Sequence, residues 1–476
     1  MVRNPLMILM LAGWWMPAWG AEWIDLFDGK SLHGWEASPG GEWAVENGVL
    51  RGKCEPSEKR HGILLWKEPL RNFTVEIEYR ANEGNSGLYI RTERVDHPVA
   101  VTGFQAEMDA TGKHAGGLYE TQGRAWVVQP SLETIEEAFR PGDWNVMRVS
   151  AQGPQIVVSV NGVQTAELRD EGQDPSEGYR EEGFLGLQLH GGQTMDIEVK
   201  SVKLKKTASV IPEGAEVRKL AEGFTFVEGP AEGPDGRLYF NDIPNETTHV
   251  YDPSTGETEV WRTETGRANG LWWAPDGKLL ACEGGNRRIT AQDGAEFAVI
   301  AETVGGKKLN SPNDLVMDVE GGIYFTDPRY GKQGGERELE KESVYYVPPG
   351  GEVALATDHV TKPNGIILSP DKKILYVADP GEKTIWSFPV LGPGKLGERS
   401  FFAATGSDGM TVDVDGNVYC TSLGVSVWSP EGELISDLVC PERPANCAFG
   451  GEENRTLYIT ARTSLYAIDL KLAGAK

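Results

Sequence analysis

The second half of the chain repeats one unit six times, and that repeat limits the possible folds more than any other feature. Each unit opens on a polar residue and continues as a hydrophobic strand, a turn and a second strand. Glu228-Gly-Pro leads to Pro234-Asp-Gly-Arg-Leu-Tyr239, Asn269-Gly-Leu to Pro275-Asp-Gly-Lys-Leu-Leu280, and Asn313-Asp-Leu to Glu320-Gly-Gly-Ile-Tyr324. Asn364-Gly-Ile leads to Pro370-Asp-Lys-Lys-Ile-Leu-Tyr376, Asp408-Gly-Met to Asp415-Gly-Asn-Val-Tyr419, and Asn446-Cys-Ala to Asn454-Arg-Thr-Leu-Tyr458. The leading residues are 41, 44, 51, 44 and 38 apart, which suits four short strands per unit. Six such units arranged around a channel form a six-bladed β-propeller. Equivalent positions in successive blades lie on one ring about the axis. Here the ring is Glu228, Asn269, Asn313, Asn364, Asp408 and Asn446, all with side-chain oxygens. A ring of that kind suits a hard divalent cation, with Ca²⁺ first and Mg²⁺, Zn²⁺ or Mn²⁺ as alternatives. Taken singly, an Asn-Gly or Asp-Gly pair reads only as a turn; the shared register of six is what points to a metal.

The rest of the 476 residues divides by composition. Residues 1–20 read as an export signal: Arg3, an apolar run from Leu6 to Trp15, and the small residues of Ala18-Trp19-Gly20, with cleavage after Gly20. An uncleaved N-terminal anchor is the alternative. The expected location is periplasmic or secreted, with no membrane association after cleavage. Residues 21–206 form one domain, 207–214 a small polar linker containing Pro212, and 215–476 the propeller. Forty-six Lys and Arg against 71 Asp and Glu give a formal charge of −25. A field of that sign excludes nucleic acid and anionic lipid as partners. It also disfavours a polyanionic substrate unless a local basic patch overrides it. Five cysteines do not make a disulfide framework. Cys440 and Cys447 flank a short loop and are the one pair placed to bridge in an oxidising compartment.

The first half also reads as all-β. Phe73-Thr-Val-Glu-Ile-Glu-Tyr79 and Ile156-Val-Val-Ser-Val160 alternate apolar and polar residues, and Asn161-Gly162 is a two-residue hairpin turn. Two antiparallel sheets packed as a sandwich are expected. Ser131 to Phe139 is the best short helix candidate. Gln105, Glu107 and Asp109 alternate and share one strand face, a polar stripe able to hold sugar hydroxyls unless it is simply a solvated face. Asn85, Arg91, Glu107, Asp109 and His190 are the candidate site residues of this half. Glu107 and Asp109 are a possible acid/base pair for glycoside cleavage.

At these residues the chain resembles two families. The second half is similar to the SMP-30/gluconolactonase, regucalcin-like family over Val217 to Leu470. The motifs are Glu228-Gly-Pro, Arg267-Ala-Asn-Gly-Leu271, Ala281-Cys-Glu-Gly-Gly-Asn-Arg-Arg288, Leu309-Asn-Ser-Pro-Asn-Asp314, Tyr324-Phe-Thr-Asp-Pro328, Lys362-Pro-Asn-Gly365 and Ser407-Asp-Gly-Met410. The resemblance implies metal ligands at Glu228, Asn364 and Asp408, metal or substrate contact at Asn313, and catalytic use of Asp408 or Asp314. The family often carries His after the Glu of the Ala-Cys-Glu motif; Gly284 stands there, which bears on the substrate pocket rather than the metal. The first half resembles the DUF1080 or 3-keto-disaccharide hydrolase domains, concanavalin-like sandwiches, over Trp23 to Leu204. It does so through Leu26-Phe-Asp-Gly-Lys-Ser-Leu-His-Gly-Trp35, Asn85-Ser-Gly-Leu-Tyr-Ile-Arg91, Gly103-Phe-Gln-Ala-Glu-Met-Asp109 and Gly186-Leu-Gln-Leu-His190. That implies binding or cleavage of an oxidised glycoside.

A divalent ion on the axis would polarise a lactone carbonyl, and Asp408 or Asp314 is expected to take a proton from the attacking water. Asn269, Glu283, Asn313 and Asp327 are expected to line the sugar pocket, although Glu283 and Asp327 end equivalent strands and could hold loops instead. No Gly-x-Ser-x-Gly elbow or phosphate loop is present. The leading expectation is an exported lactonase with an oxidised-glycoside domain. Its rivals are a lactonase carrying a non-catalytic carbohydrate-binding sandwich, and a non-catalytic propeller scaffold.

Overall fold

The computed structural model describes residues 23–170, 180, 182–207, 209–212, 214–294, 296–330 and 335–475. The expected export signal lies outside them, as do residues 208 and 213 of the expected linker. Among the described residues no helix is long and apolar enough to cross a membrane. The chain divides into two compact units.

The first unit is a sandwich of an eight-stranded and a seven-stranded sheet. In the eight-stranded sheet Phe73–Glu83 runs between Asn145–Gln152 and Met195–Lys206. Its residues alternate between buried and half-buried over nine positions, as the apolar alternation requires. In the seven-stranded sheet Asn85–Arg94 lies between Val101–Asp109 and Phe184–Leu189. Ile77, Tyr79, Leu88, Ala106 and Leu187 are fully buried. Asn161 and Gly162 both adopt left-handed φ, 50° and 86°, and join Gln155–Val160 to Val163–Arg169 in the expected hairpin. The expected helix forms over Leu132–Ala138, where the Ser131 side chain caps it by accepting from the Thr134 amide at 3.1 Å.

The second unit is a ring of six four-stranded antiparallel blades; blade 4 carries one extra two-residue strand. The innermost strands are Val227–Glu232, Ala268–Trp273, Leu315–Met317, Ile366–Leu368, Met410–Val412 and Pro444–Gly450. Blade 6 takes its outer strand, Arg218–Glu222, from the start of the unit, paired with Ser464–Asp469 from its end. This closes the ring through backbone hydrogen bonds. Tyrosines in the second strands seal neighbouring blades: Tyr239 meets Trp273 edge-on at 5.0 Å, and Tyr419 meets Phe449 at 5.1 Å.

The glycines after the leading residues belong to this packing and are not turn glycines. A Cβ on Gly229 would sit 1.9 Å from the Asn269 carbonyl oxygen, and one on Gly409 1.9 Å from the Asn446 side chain. At Gly270 the obstacle is the Asp314 carboxylate, 2.5 Å away. Each glycine lets the leading residue of the next blade come close. The bridge considered between Cys440 and Cys447 is not formed, and all five cysteines are free and buried. The Cys447 thiol lies 4.0 Å from the Tyr419 carbonyl oxygen, packed against blade 5.

Candidate functional site

The six inner strands begin on one face of the propeller, and a cavity of about 310 Å³ opens there. Five of the six leading residues line it: Glu228, Asn269, Asn313, Asn364 and Asp408. Blade loops complete the wall with Phe226, Arg267, Ser311 and Tyr330, closed by Ile243 and Pro244. The size suits one small polar molecule.

Hydrogen bonds sort the ring by orientation. Asn364 Nδ2 donates to Asp408 Oδ1 at 2.6 Å and to the Tyr330 hydroxyl at 3.0 Å. With both donor directions used, its carboxamide oxygen is the group left for the axis. Asn446 is turned the other way. Its Oδ1 accepts from the Cys447 amide at 2.8 Å, and its amide group instead stabilises the charged forms of Glu228 and Asp314. The expected ring of six oxygen donors therefore loses Asn446, whose oxygen is committed to its own blade. No protein hydrogen bond holds the side-chain amides of Asn269 and Asn313 among the described residues, and both line the cavity.

Two carboxylates of the ring, Glu228 and Asp408, have a third, Asp314, behind them. Burial first, then the charge of Asp408, pushes Glu228 well above the usual range, against a hydrogen bond from the Gly229 amide at 2.9 Å. Burial also raises Asp408, opposed by Asn364 and by the charges of Arg443 and Arg462. Asp314 is pushed up to about 7 by burial, against the Leu315 amide. Unlike Glu228 and Asp408 it does not line the cavity: its carboxylate faces Gly270 of the preceding blade. Among the described residues no group of three or more His, Cys, Asp and Glu is arranged to hold a metal. The oxygens on offer are two carboxylates with amides.

Glu283 and Asp327, expected in the pocket, do not line it. Glu283 is fully buried in ion pairs with Arg262 at 2.8 Å and Arg288 at 2.7 Å. Asp327 accepts from the backbone amides of Asn310 and Ser311, both at 2.8 Å. Asp242 and Asp379 do the same in blades 1 and 4, gripping Thr225 and Phe226, and Thr361 and Lys362. A carboxylate ending the second strand lies one strand out from the axis, about 4.8 Å away. From there it reaches the loop leading into its own blade, and so it holds the wall rather than forming it.

In the sandwich the structure brings Asn85, Glu107 and Asp109 together. Asn85 pairs in register with Asp109, Gly87 with Glu107, and the Asn85 side chain hydrogen-bonds Glu107. Burial pushes Glu107 up to about 8, and its Oε2 has no partner among the described residues. Asp109 is tied to the Thr111 amide and hydroxyl at 2.9 Å. The stripe is not a solvated face: Gln105 and Glu107 are each 4 % exposed. Beside it runs a network that the sequence did not disclose. Gln105 donates to Gln188 at 3.0 Å, and Gln188 Nε2 lies 3.0 Å from the Tyr89 hydroxyl and 3.1 Å from His61 Nδ1. His61, held down to about 4 by burial, packs its ring 4.3 Å from that of His190. His190 is anchored through Nδ1 to the Gly191 carbonyl at 2.8 Å. Arg91 is fully buried near the far end of the Asn85–Arg94 strand.

Arg267 and Tyr330 were missed as wall residues. Arg267 stands inside a quoted motif, two residues before Asn269, whereas Tyr330 sits in the long loop of blade 3 and carries no sequence signal. His61 likewise has none.

Comparison with known proteins agrees with this geometry. Residues 22–205 match the 3-keto-alpha-glucoside-1,2-lyase-like domain. Residues 220–463 match the SMP-30/Gluconolactonase/LRE-like region. The gluconolactonase of Zymomonas mobilis is 29 % identical over 294 residues, covering 54 % of this chain and 82 % of its own. The pentonolactonase of Haloferax volcanii is 27 % identical over 249 residues, covering 49 % and 80 %. A solved gluconolactonase from Xanthomonas campestris superposes with a TM-score of 0.52 at 32 % identity, covering 54 % of this chain and 90 % of its own. Through its six-bladed half, the chain belongs to the SMP-30/gluconolactonase/LRE-like family.

Proposed function

We propose that the propeller hydrolyses a sugar lactone in the axial cavity, with a divalent cation held by Glu228, Asn364 and Asp408. The observation that carries this reading is the orientation of Asn364. Both its N–H directions are used, so an amide oxygen joins two buried carboxylates, both raised by burial and Glu228 further by the charge of Asp408. An all-oxygen set containing two carboxylates fits a hard divalent ion, and such an ion removes the repulsion between them. When bound, it polarises the lactone carbonyl and stabilises negative charge developing on its oxygen. Asp408 accepts from Asn364 through Oδ1, which leaves Oδ2 to take the proton of the attacking water. Asn269 and Asn313 offer uncommitted amides to the sugar hydroxyls. Water adds to the carbonyl carbon, the ring C–O bond breaks, and the ring oxygen leaves as a hydroxyl with the proton returned to it. The product is a hydroxy acid.

The test is hydrolysis of glucono-1,5-lactone by the purified protein, before and after EDTA and after restoring Ca²⁺, Mg²⁺, Zn²⁺ or Mn²⁺. Loss with EDTA and recovery with one metal support the reading. Unchanged rates in EDTA and in Asp408→Asn overturn it and favour a scaffold.

For the sandwich we infer binding or cleavage of an oxidised glycoside at the Asn85–Glu107–Asp109 cluster, supported by a Glu107 carboxyl that stays protonated at neutral pH. Cleavage of a 3-keto-glycoside that is lost in Glu107→Gln supports a catalytic sandwich; binding without cleavage reduces it to a sugar-holding module. The apolar N-terminal segment is the ground for proposing export.

A further inference from the structure

The overall charge of −25 would repel an anionic substrate, yet cations gather around the axial cavity, whose lining holds Arg267 beside Glu228 and Asp408. Four cations stand around it on separate loops. Arg267 leads into blade 2 and lines the cavity itself. Lys362 leads into blade 4, its Nζ 4.4 Å from the ring centre of Tyr330, a wall residue. Arg462, in the turn between the second and third strands of blade 6, lies 5.7 Å over the ring of Phe226, another wall residue. Arg443 leads into blade 6 and is anchored through Nε to the Ser422 carbonyl at 3.2 Å. Arg443 and Arg462 both act through space on Asp408.

Among the described residues none of the four has a carboxylate in ion-pairing range. Elsewhere in the propeller arginines find acids: Arg218 with Asp469, Arg262 and Arg288 with Glu283, Arg399 with Glu382. Nearby acids on the same face are occupied or set aside. Glu442 accepts from Thr463, Ser464 and Tyr466, and Glu382 from Thr361. Glu246 and Glu264 do not line the cavity, and neither do Lys362, Arg443 and Arg462, which stand against it through Tyr330, Phe226 and their field on Asp408. In a chain with a large excess of acid, four cations at one opening, none within ion-pairing range of a carboxylate, are placed to meet a negative group. Charges of one sign grouped at the rim of a cleft draw in ligands of the other.

We propose that the propeller's substrate is a lactone bearing an additional acidic group, a carboxylate or sulfonate, remote from the ester that is opened, and that Arg267, Lys362, Arg443 and Arg462 receive that group. This rests on the lactone-opening reading above. The ring orients the ester end over Asp408, and the rim cations hold the acidic end.

The experiment uses the full chain with its metal and compares two pairs of lactones. D-glucaro-1,4-lactone against D-glucono-1,4-lactone reads the carboxylate; 6-deoxy-6-sulfogluconolactone against glucono-1,5-lactone reads the sulfonate. The expected result is a kcat/KM at least about tenfold higher for one acidic member over its neutral partner, carried in KM and shrinking as salt rises from about 0.05 to 0.5 M. Arg443→Gln and Arg462→Gln each lower that ratio. Equal or better use of both neutral lactones overturns the proposal and leaves the lactonase reading standing. If no lactone is opened, the lactonase reading fails, and calorimetric binding of D-glucarate against D-gluconate decides the site. Tighter, salt-sensitive glucarate binding that is lost in Arg462→Gln supports an anion-receiving mouth, and equal or absent binding overturns it.

Discussion

The two halves of this protein bury carboxylates in opposite ways. In the sandwich Glu107 is enclosed in a sheet face beside Asp109, near amides and imidazoles, and keeps its proton to about pH 8. In the propeller Glu228 and Asp408 are raised by burial but also face each other across an open cavity with an amide oxygen between blades. A proton neutralises a lone buried acid; two acids and an amide oxygen around water-accessible space call for a cation. The difference is that a buried carboxyl with no second acid opposite it is neutralised by a proton, whereas two that face each other suit the cation proposed for the axial cavity.

Four measurements press on this contrast. The largest effect is expected from Asp408→Asn, which should lower kcat/KM for the lactone by about a thousandfold and leave the sandwich's calorimetric transition in place. If the sandwich transition moved as well, the two neutralisation schemes would not be independent. Next, saturation with the active metal should stabilise the propeller transition alone, by about 3 kcal/mol at a hundredfold excess over Kd, and EDTA should reverse it.

Third comes the proton. Glu107 binds a proton in the folded state up to about pH 8, whereas the unfolded chain releases it near the ordinary carboxylate value. Folding stability contributed at this site therefore falls as pH rises between those values, by about 2 kcal/mol from pH 6 to 7.5. Glu107→Gln should flatten that slope in the sandwich transition; an unchanged slope would place the titrating group elsewhere. The smallest effect is expected from Gly409→Ala. Its Cβ collides with Asn446, which must shift, at about 1–2 kcal/mol of propeller stability, with weaker metal binding read by titration.

The sequence exposed the ring readily because a propeller turns linear repetition into circular placement: six polar residues in register had to meet at the axis. It did not expose which way each amide points. Asn364 and Asn446 occupy equivalent positions, yet Tyr330 and Asp408 take the nitrogen of one while the Cys447 amide takes the oxygen of the other. Nor did it show that the glycines of Glu228-Gly and Asp408-Gly serve contacts between blades, since the obstacle at each comes from a residue about 40 positions away. Glu283 and Asp327 were expected in the sugar pocket; ending their strands one strand further out, they secure loops instead, the alternative their equivalent positions offered. In the sandwich, alternation found Glu107 and Asp109 on one face, but His61 reaches the same network across strands and leaves no pattern to read.

Blade 6 joins Arg218–Glu222 to Ser464–Asp469, segments separated by nearly the whole of the unit. This has a consequence for biosynthesis. While the ribosome is still making the last blade, the first strand waits without its partner and the ring stays open. Glu228 and Asp408 belong to blades 1 and 5, whose ring is closed only once Ser464–Asp469 has emerged to pair with Arg218–Glu222. Contacts so far apart in sequence form slowly, and a stop codon before residue 464 would leave the ring unclosed while keeping Glu228, Asn364 and Asp408 in the chain.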